Sequence, residues 1–367
     1  MMRKANASES IERTAEYSAI GEKRSFVNWF LILVILVFIV VVWGALVRLT
    51  GSGLSIPEWP IVNGSLLPPL SDGDWLAVYK TYYLEVHNIS DITTFGVIPI
   101  SEFKTMFAIE YIHRLIAAIV GVLFIVLAIQ SWRKKTRRNL IGKMLGVALA
   151  LLLLQIILGG IVVREELKAE LVAFHLAAAY LFFAMILWAY LKISSQSQAN
   201  RPAAESGKLS IIAWMATGIL FLQIISGGLM AGSGAGFTLN TFPKIGDVWI
   251  PSFSILFSNA YGGFFANLFQ NQVLIQFIHR WWILAVITAI AFIHAKAMKA
   301  GLTSRGKLAV LAAGAVLILQ LLLGIGNLVM KVPFFMSISH SATALILFAL
   351  LIITTFEITF GGKPVDA

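Results

Sequence analysis

The sequence of 367 residues contains no cysteine, which excludes disulfides, thiolate metal ligands and cysteine nucleophiles. Charge is also scarce, because Asp, Glu, Lys and Arg make up only 13% of the residues, against 59% hydrophobic residues. A typical soluble domain carries about 25% charged residues. This composition, together with a mean hydropathy of +0.86, favours an integral membrane protein.

Long apolar runs recur along the chain, each about 20 residues long, which is the length needed to cross a hydrocarbon core. We number them segments 1 to 8, and they predict an all-α membrane protein with eight transmembrane helices. The runs cover 26–48, 107–131, 140–163, 172–193, 209–231, 272–295, 306–329 and 334–358.

The net charge of +10 could suggest nucleic acid, but its placement follows membrane topology instead. Most of the 28 Lys and Arg lie in the N-terminal stretch, in alternate connections and at the C-terminus, and "WRKKTRR" at 132–138 alone holds five. The positive-inside rule therefore predicts cytoplasmic termini. Residues 1–25 are polar and contain four glutamates, unlike a secretory signal or a transit peptide. We expect a multi-pass protein of a bacterial inner membrane.

The two halves of the chain resemble each other at a nearly constant offset. "IHR" at 112–114 returns at 278–280, and "FHLAAAYLFFA" at 174–184 returns as "SHSATALILFA" at 339–349. Upstream, "GSG" at 51–53 has a counterpart at 232–234, so the first external loop is the longer one. The repeat predicts two tandem four-helix bundles.

Each half has four segments, so both enter the membrane in the same orientation, and we expect a pseudo-twofold axis along the membrane normal. The predicted parts are a cytoplasmic tail at 1–25, bundles at 26–193 and 209–358, a cytoplasmic linker at 194–208 and a tail at 359–367.

Four histidines lie on the even-numbered segments, each near the predicted external end. They form one pair per half: His113 with His175, and His279 with His340. An ionisable residue inside a membrane is by default a functional hypothesis, although a single one can simply bond a neighbouring helix. Four at repeat-equivalent positions favour ligands. His87 and His294 lack repeat partners, and for them the structural explanation is preferred.

Two imidazoles on facing helices suit a haem iron, which takes axial ligands on opposite faces, whereas zinc would need further ligands. Small residues such as Gly159 and Gly324 lie near histidine depth, where they could make room for a macrocycle or serve ordinary helix packing. Arg114 and Arg280 directly follow histidines. They could pair with haem propionates, or snorkel to the interface.

One acidic residue distinguishes the two copies of the internal repeat. Glu110 precedes His113 by three residues and so shares its helix face, whereas the repeat position holds Gln276. A carboxylate in apolar surroundings can exchange protons near neutrality, and an amide cannot. The difference predicts one chemical site, in the first half, and one binding or electron-transfer site, in the second.

The sequence resembles the haem A synthase family, in its cysteine-free proteobacterial and mitochondrial branch. The resemblance covers nearly the whole chain after residue 25. It rests on "GALVRLTGSGLSIPEWP" (44–60), "PPLSDGDW" (68–75), "EFKTMFAIEYIHR" (102–114), "AGSGAGFTLNTFPKIGDVWIP" (231–251), "NQVLIQFIHR" (271–280) and "VPFFMSISH" (332–340).

This resemblance implies a haem b bound in the second half by His279 and His340, a substrate site for haem O at His113 and His175, and a catalytic acid at Glu110. The implied reaction oxidises one methyl group of haem O, through an alcohol and a geminal diol, to the formyl group of haem A used by cytochrome oxidase. The family's Gram-positive branch carries a cysteine pair that this chain lacks.

Two other functions stay open from the residues alone: a bis-haem electron-transfer cytochrome, and a haem carrier or transporter. The cytochrome gives Glu110 no task, and the carrier predicts no change in the porphyrin. Besides haem O and membrane lipid, the partners to consider are haem O synthase, an electron acceptor and a second copy of the chain. The external loop 49–105 is rich in Pro, Gly and Trp, and could cover the haem edge or merely connect two segments.

Overall fold

The computed structural model describes residues 2–61, 64–65, 67–87, 98–195, 206–300 and 302–360, with side chains from residue 21 onward in the first helix. Its longer helices are α1 Met2–Leu49, α2 Asp72–His87, α3 Ile100–Arg133, α4 Lys135–Arg164, α5 Ala169–Ser194 and α6 Ser206–Gly232, followed by short α7 Phe253–Leu256 and α8 Phe264–Gln270, then α9 Gln272–Ala297, α10 Ser304–Val329 and α11 Phe334–Phe360. Most of the predicted linker and of the C-terminal tail lies outside the described residues.

Eight of these helices are long and apolar enough to span a membrane, which confirms the all-α membrane fold. They are α1, α3, α4, α5, α6, α9, α10 and α11. All eight extend beyond the predicted apolar runs, and two of them do so by the largest margins. Helix α3 begins at Ile100 rather than at residue 107, and α1 runs without a break from Met2, through the polar stretch. Polar residues at helix ends continue the backbone hydrogen bonding outside the apolar layer.

The membrane helices of each half contact one another in chain order. In the first half α1 and α4 both contact α3 and α5, and in the second half α6 and α10 both contact α9 and α11. The halves meet where α5 contacts α6 and α11, and where α1 contacts α11. Helix α11 therefore has neighbours on most sides, and 61% of its apolar span is buried, against 17% for α4. The pseudo-twofold axis stays a prediction.

Small residues bring α5 and α6 together at the junction of the halves. A Cβ atom added to Gly228 would lie 3.3 Å from the Cα atom of Ala173, and one added to Gly232 would lie 2.8 Å from that of Ala169. Glycines and alanines spaced by four residues allow helix backbones to approach closely within a membrane. Any larger side chain at Gly232 would push the two helices apart.

The loop between α1 and α3 is more than a connector, because its described part contains α2 packed on the N-terminal end of α3. Tyr79, Tyr82 and Phe103 are buried in this contact, with ring centroids 5.1 to 5.3 Å from Phe103. Aromatic pairs at such distances add packing energy beyond their buried area. This aromatic layer covers the part of α3 that leads to Glu110.

Candidate functional site

Two equivalent tight turns, one in each half, lie at the same end of the site. Gly51 has φ +66° and precedes the 3-10 turn Ser52–Leu54, while Gly234 has φ +70° and precedes the 3-10 turn Ala235–Phe237. Only glycine adopts this left-handed conformation without strain. The structure therefore corrects the sequence pairing of the two GSG triplets, because Gly51 corresponds to Gly234 and not to Gly232.

Glu110 is buried and fully hydrogen-bonded, rather than isolated among apolar groups as expected from the sequence. Its Oε2 atom accepts hydrogen bonds from Ser55 Oγ at 2.7 Å and from the Ile56 backbone N–H at 3.0 Å. Its Oε1 atom accepts one from Arg114 Nη2 at 2.6 Å, which is also an ion pair. The carboxylate thereby ties the loop between α1 and α3 to α3.

Gln276 ties the equivalent loop to α9 with the donor and acceptor roles exchanged. Its Nε2 atom donates to the backbone oxygen of Ala235 at 2.5 Å and to that of Thr238, and its Oε1 atom accepts from Arg280. The first loop presents donors to Glu110, whereas the second presents carbonyl oxygens, which a carboxylate could not bond. The loops therefore supply a structural reason why only one copy carries the acid.

The two arginines that follow histidines are engaged by these same loops. Arg114 donates to the backbone oxygens of Glu58 at 2.7 Å and Ile56 at 2.6 Å, and its guanidinium lies 5.1 Å from the Trp59 ring centroid. The acceptors of Arg280 are the backbone oxygens of Leu239, Thr241 and Lys244. Arg280 Nε is buried and has no partner among the described residues. Contact with haem propionates stays a prediction for both.

Each predicted histidine ligand lies against a glycine of the preceding membrane helix. The distances from a Cβ atom built on the glycine to the nearest ring carbon are 3.3 Å for Gly44 and His113, 3.6 Å for Gly159 and His175, 3.2 Å for Gly227 and His279, and 2.9 Å for Gly324 and His340. A side chain at these positions would press on the imidazole. The glycines therefore make room for the rings, whereas the sequence suggested only that Gly159 and Gly324 could make room for a macrocycle or serve helix packing.

The histidines are brought together in the pairs that the repeat predicted. His113 interacts electrostatically with His175, and His279 with His340. Among the described residues, Nδ1 of His113, His175 and His340 is buried without a hydrogen-bond partner. Buried polar atoms in native proteins nearly always have partners, so these unpaired nitrogens need a partner that the described residues do not supply.

The donor set fits haem better than a free metal ion. Within the described residues, no group of three or more His, Asp or Glu side chains is placed to hold a metal ion. Zinc takes at least three protein ligands, whereas a haem iron requires only its two axial positions. Each half of the protein has two half-buried imidazoles, backed by glycines, which match the two axial ligands that a haem iron requires.

Several contacts at the site could not be expected from the sequence. Ser55 lies in a loop and reaches Glu110 over 55 positions of sequence. Tyr82, on α2, is buried close enough to interact with Glu110, and burial together with the neighbouring Tyr83 and Glu110 raises the pKa of its phenol. The sequence also paired the two loops incorrectly, because the turns at Gly51 and Gly234, and not the two "GSG" triplets, set the register between the halves.

Comparison with known families matches this architecture over most of the chain. The model of the COX15-CtaA family, described as cytochrome oxidase assembly proteins, matches residues 27–352. The chain belongs to this family. The match begins in α1 and ends within α11, so it includes both histidine pairs and both loop turns.

Curated relatives cover similar lengths and carry the name Heme A synthase. The protein from Rhizorhabdus wittichii is 34% identical over 89% of this chain and 91% of its own length. Those from Bradyrhizobium sp. strain ORS 278 and Nitrosomonas eutropha are 32% and 33% identical, each over 87% of this chain and over 87% and 90% of their own lengths. The resemblance inferred from the sequence is confirmed.

Proposed function

We propose that this protein is a haem A synthase, which oxidises a methyl group of haem O to a formyl group and so supplies haem A for cytochrome oxidase. The names of its relatives support the assignment. The observation that carries it is the pair of half-buried histidines in each half, each ring backed by a glycine, on helices that span the membrane. The reaction class is that of an oxidoreductase.

The two halves bind different haems. His279 and His340, in the half at 209–358, hold a haem b, and His113 and His175, in the half at 26–193, bind the substrate haem O. The acid supports this division, because Glu110 lies one helical turn from His113, whereas the second half has the non-titrating Gln276. When bound, the haem b supplies a redox centre that can pass on the electrons removed from the substrate.

Glu110 receives a proton released as the methyl group is oxidised. With water as the oxygen source, each oxidation replaces a C–H bond of the reacting carbon by a C–OH bond and releases two protons and two electrons, which pass to the acceptor. The first oxidation gives the alcohol and the second the geminal diol, which loses water to leave the formyl group. A protonated Glu110 has one O–H to donate, and Ser55 Oγ is 2.7 Å away. A hydroxyl can turn from donor to acceptor. The serine thus allows the carboxyl to take a proton without losing that hydrogen bond.

The protein resides in a bacterial inner membrane with both termini in the cytoplasm and both haem sites toward the periplasm. The accumulation of Lys and Arg in the N-terminal stretch and at 132–138 supports this orientation. Haem O synthase is the natural source of the substrate, and an electron acceptor must reoxidise the protein. A homo-oligomer is compatible with the exposed apolar faces of the helices.

A bis-haem electron-transfer cytochrome is the second candidate, and one observation favours it. Glu110 and Gln276 make equivalent contacts between a helix and a loop, so the acid has a structural task whether or not it reacts. That function would preserve all four histidines while leaving every porphyrin unchanged.

Haem analysis separates the two candidates. The protein is expressed in cells that make haem O but contain no other haem A synthase, and the extracted haems are identified by mass and absorption spectrum. The proposal expects a formyl haem, which should be absent when His113→Ala is expressed to the same level. Protein that carries haem b and folds normally, but never yields a formyl haem, would identify a cytochrome.

A further inference from the structure

The Nδ1 atom of the His279 ring has polar neighbours, whereas Nδ1 of the other three histidines has no partner among the described residues. Ser226 Oγ, on α6, lies 2.8 Å from His279 Nδ1. On the same helix, Gln223 Nε2 lies 3.1 Å from that nitrogen and donates to the His279 backbone oxygen at 2.9 Å. Helices α6 and α9 are therefore joined by polar contacts at the position of the ligand.

Ser226 can serve the form of His279 that would ligate iron. Ser226 Oγ donates its own hydrogen to the backbone oxygen of Gln223 at 2.7 Å, so toward the ring it acts as an acceptor. An imidazole that carries its hydrogen on Nδ1 donates to that oxygen and presents a free lone pair on Nε2. In this form Gln223 Nε2, which can only donate, keeps its hydrogen bond to the His279 backbone oxygen and makes none to Nδ1.

In the first half, the positions that correspond to Ser226 and Gln223 offer no hydrogen-bond acceptor to the His113 ring. The register set by the two loop turns pairs Ser226 with Trp43 and Gln223 with Val40. The Trp43 indole can only donate, and it donates to the backbone oxygen of Ile109 at 2.9 Å. His113 Nδ1 accordingly has no partner among the described residues.

We propose that Ser226 is a positioning residue that fixes His279 as a permanent iron ligand, and that the absence of such a residue beside His113 leaves the first site exchangeable. This inference deepens the proposed function and rests on its assignment of haem b to the second half. A hydrogen-bond acceptor on the far nitrogen of a ligating imidazole orients the ring and increases its basicity. The restraint acts on one of the two ligands of the resident haem, because His340 Nδ1 has no partner among the described residues, and it acts on neither ligand of the substrate haem.

The test uses the purified full-length protein with its haem b, compared with Ser226→Ala and Ser226→Thr. Haem loss to an excess of apomyoglobin is followed by absorption, and the midpoint potential of the bound haem is titrated. The alanine variant should release haem about 10- to 100-fold faster. Its potential should rise, since a less basic ligand stabilises ferric iron less. The threonine variant keeps the hydroxyl and should restore both values.

A matched control is Ser194→Ala, because Ser194 Oγ also donates to a carbonyl three residues earlier, that of Leu191, but contacts no histidine. It should change neither value. If Ser226→Ala keeps both the potential and the haem while His279→Ala loses the haem, Ser226 does not position the ligand and the proposed function stands. If His279→Ala retains the haem b, the ligand assignment fails, and this inference fails with it.

Discussion

Ser55, in a loop, donates a hydrogen bond at 2.7 Å to Oε2 of Glu110 on the membrane helix α3, although the two residues are far apart in sequence. This contact gives the acid two tasks, one in holding the loop and one in the chemistry. Gln276 performs the first task in the other half with opposite hydrogen-bond polarity. The experiments on Glu110 must therefore distinguish loss of structure from loss of a base.

Replacing Glu110 with glutamine should lower haem A production by about 100-fold or more, the usual scale for a positioned general base. The variant should also lose stability, because an amide has one oxygen where three donors now converge. An unpaired buried donor costs about 1–3 kcal/mol. The measurements are haem A per mole of folded protein and the thermal midpoint of the purified variant.

Ser55→Ala serves as the control, because it removes one donor but leaves a titratable carboxylate. It should cost stability with a smaller loss of haem A than Glu110→Gln. Near-normal haem A from folded Glu110→Gln protein would reduce the acid to a loop tether. Gln276→Glu should create no second active site, and should destabilise the second loop by facing the carbonyl oxygens of Ala235 and Thr238 with a carboxylate.

The four histidines should separate into two classes when each is changed to alanine. His279→Ala and His340→Ala should sharply lower the haem b content of purified protein, because each removes an axial ligand. His113→Ala and His175→Ala should retain haem b but make no haem A. The pyridine haemochrome spectrum measures the content. Equal haem loss from all four variants would contradict the division into a resident and a substrate site.

The glycines behind the histidine rings should differ in their tolerance of alanine. Gly324→Ala places a Cβ atom 2.9 Å from the His340 ring, which must shift, so haem b content should fall several-fold. Gly227→Ala places a Cβ atom 3.2 Å from the His279 ring in the same half, a contact that a small shift relieves, and should be milder. Gly121→Ala is the control, since nothing lies within 4 Å of its added Cβ atom. The ordering is read from haem content after expression to equal levels, and the reverse order would refute it.

Fusions to a reporter that is active only in the periplasm should confirm the orientation of the chain. Fusions near Leu70 and Ser254 should be active, and one near Thr136 should be silent, because positive charge is retained on the cytoplasmic side. The opposite pattern would place the histidine pairs toward the cytoplasm. Total fusion protein, measured by immunoblot, controls for expression.

The sequence by itself determined the membrane class, the eight helices and the pairing of the histidines. Apolar length is a local property, since the bilayer acts on each helix separately, and the repeat offset links His113 to His279 without coordinates. The sequence also indicated Gly159 and Gly324, because they lie near the depth of the histidines. Helix ends were less certain, because α3 continues into polar sequence as far as Ile100.

Only the tertiary structure decided which side chains touch. Helix rotation decides whether Ser226 reaches His279. The path of each loop decides whether it presents a hydroxyl to residue 110 or a carbonyl to residue 276. Spacing along the chain does not specify either. Glycine conformation decided the register of the loops, because positive φ selects Gly234 from two candidates that the letters alone leave equal. The hydrogen-bonded role of Glu110 follows from that register, since Ser55 is the residue which the turn after Gly51 delivers to the acid.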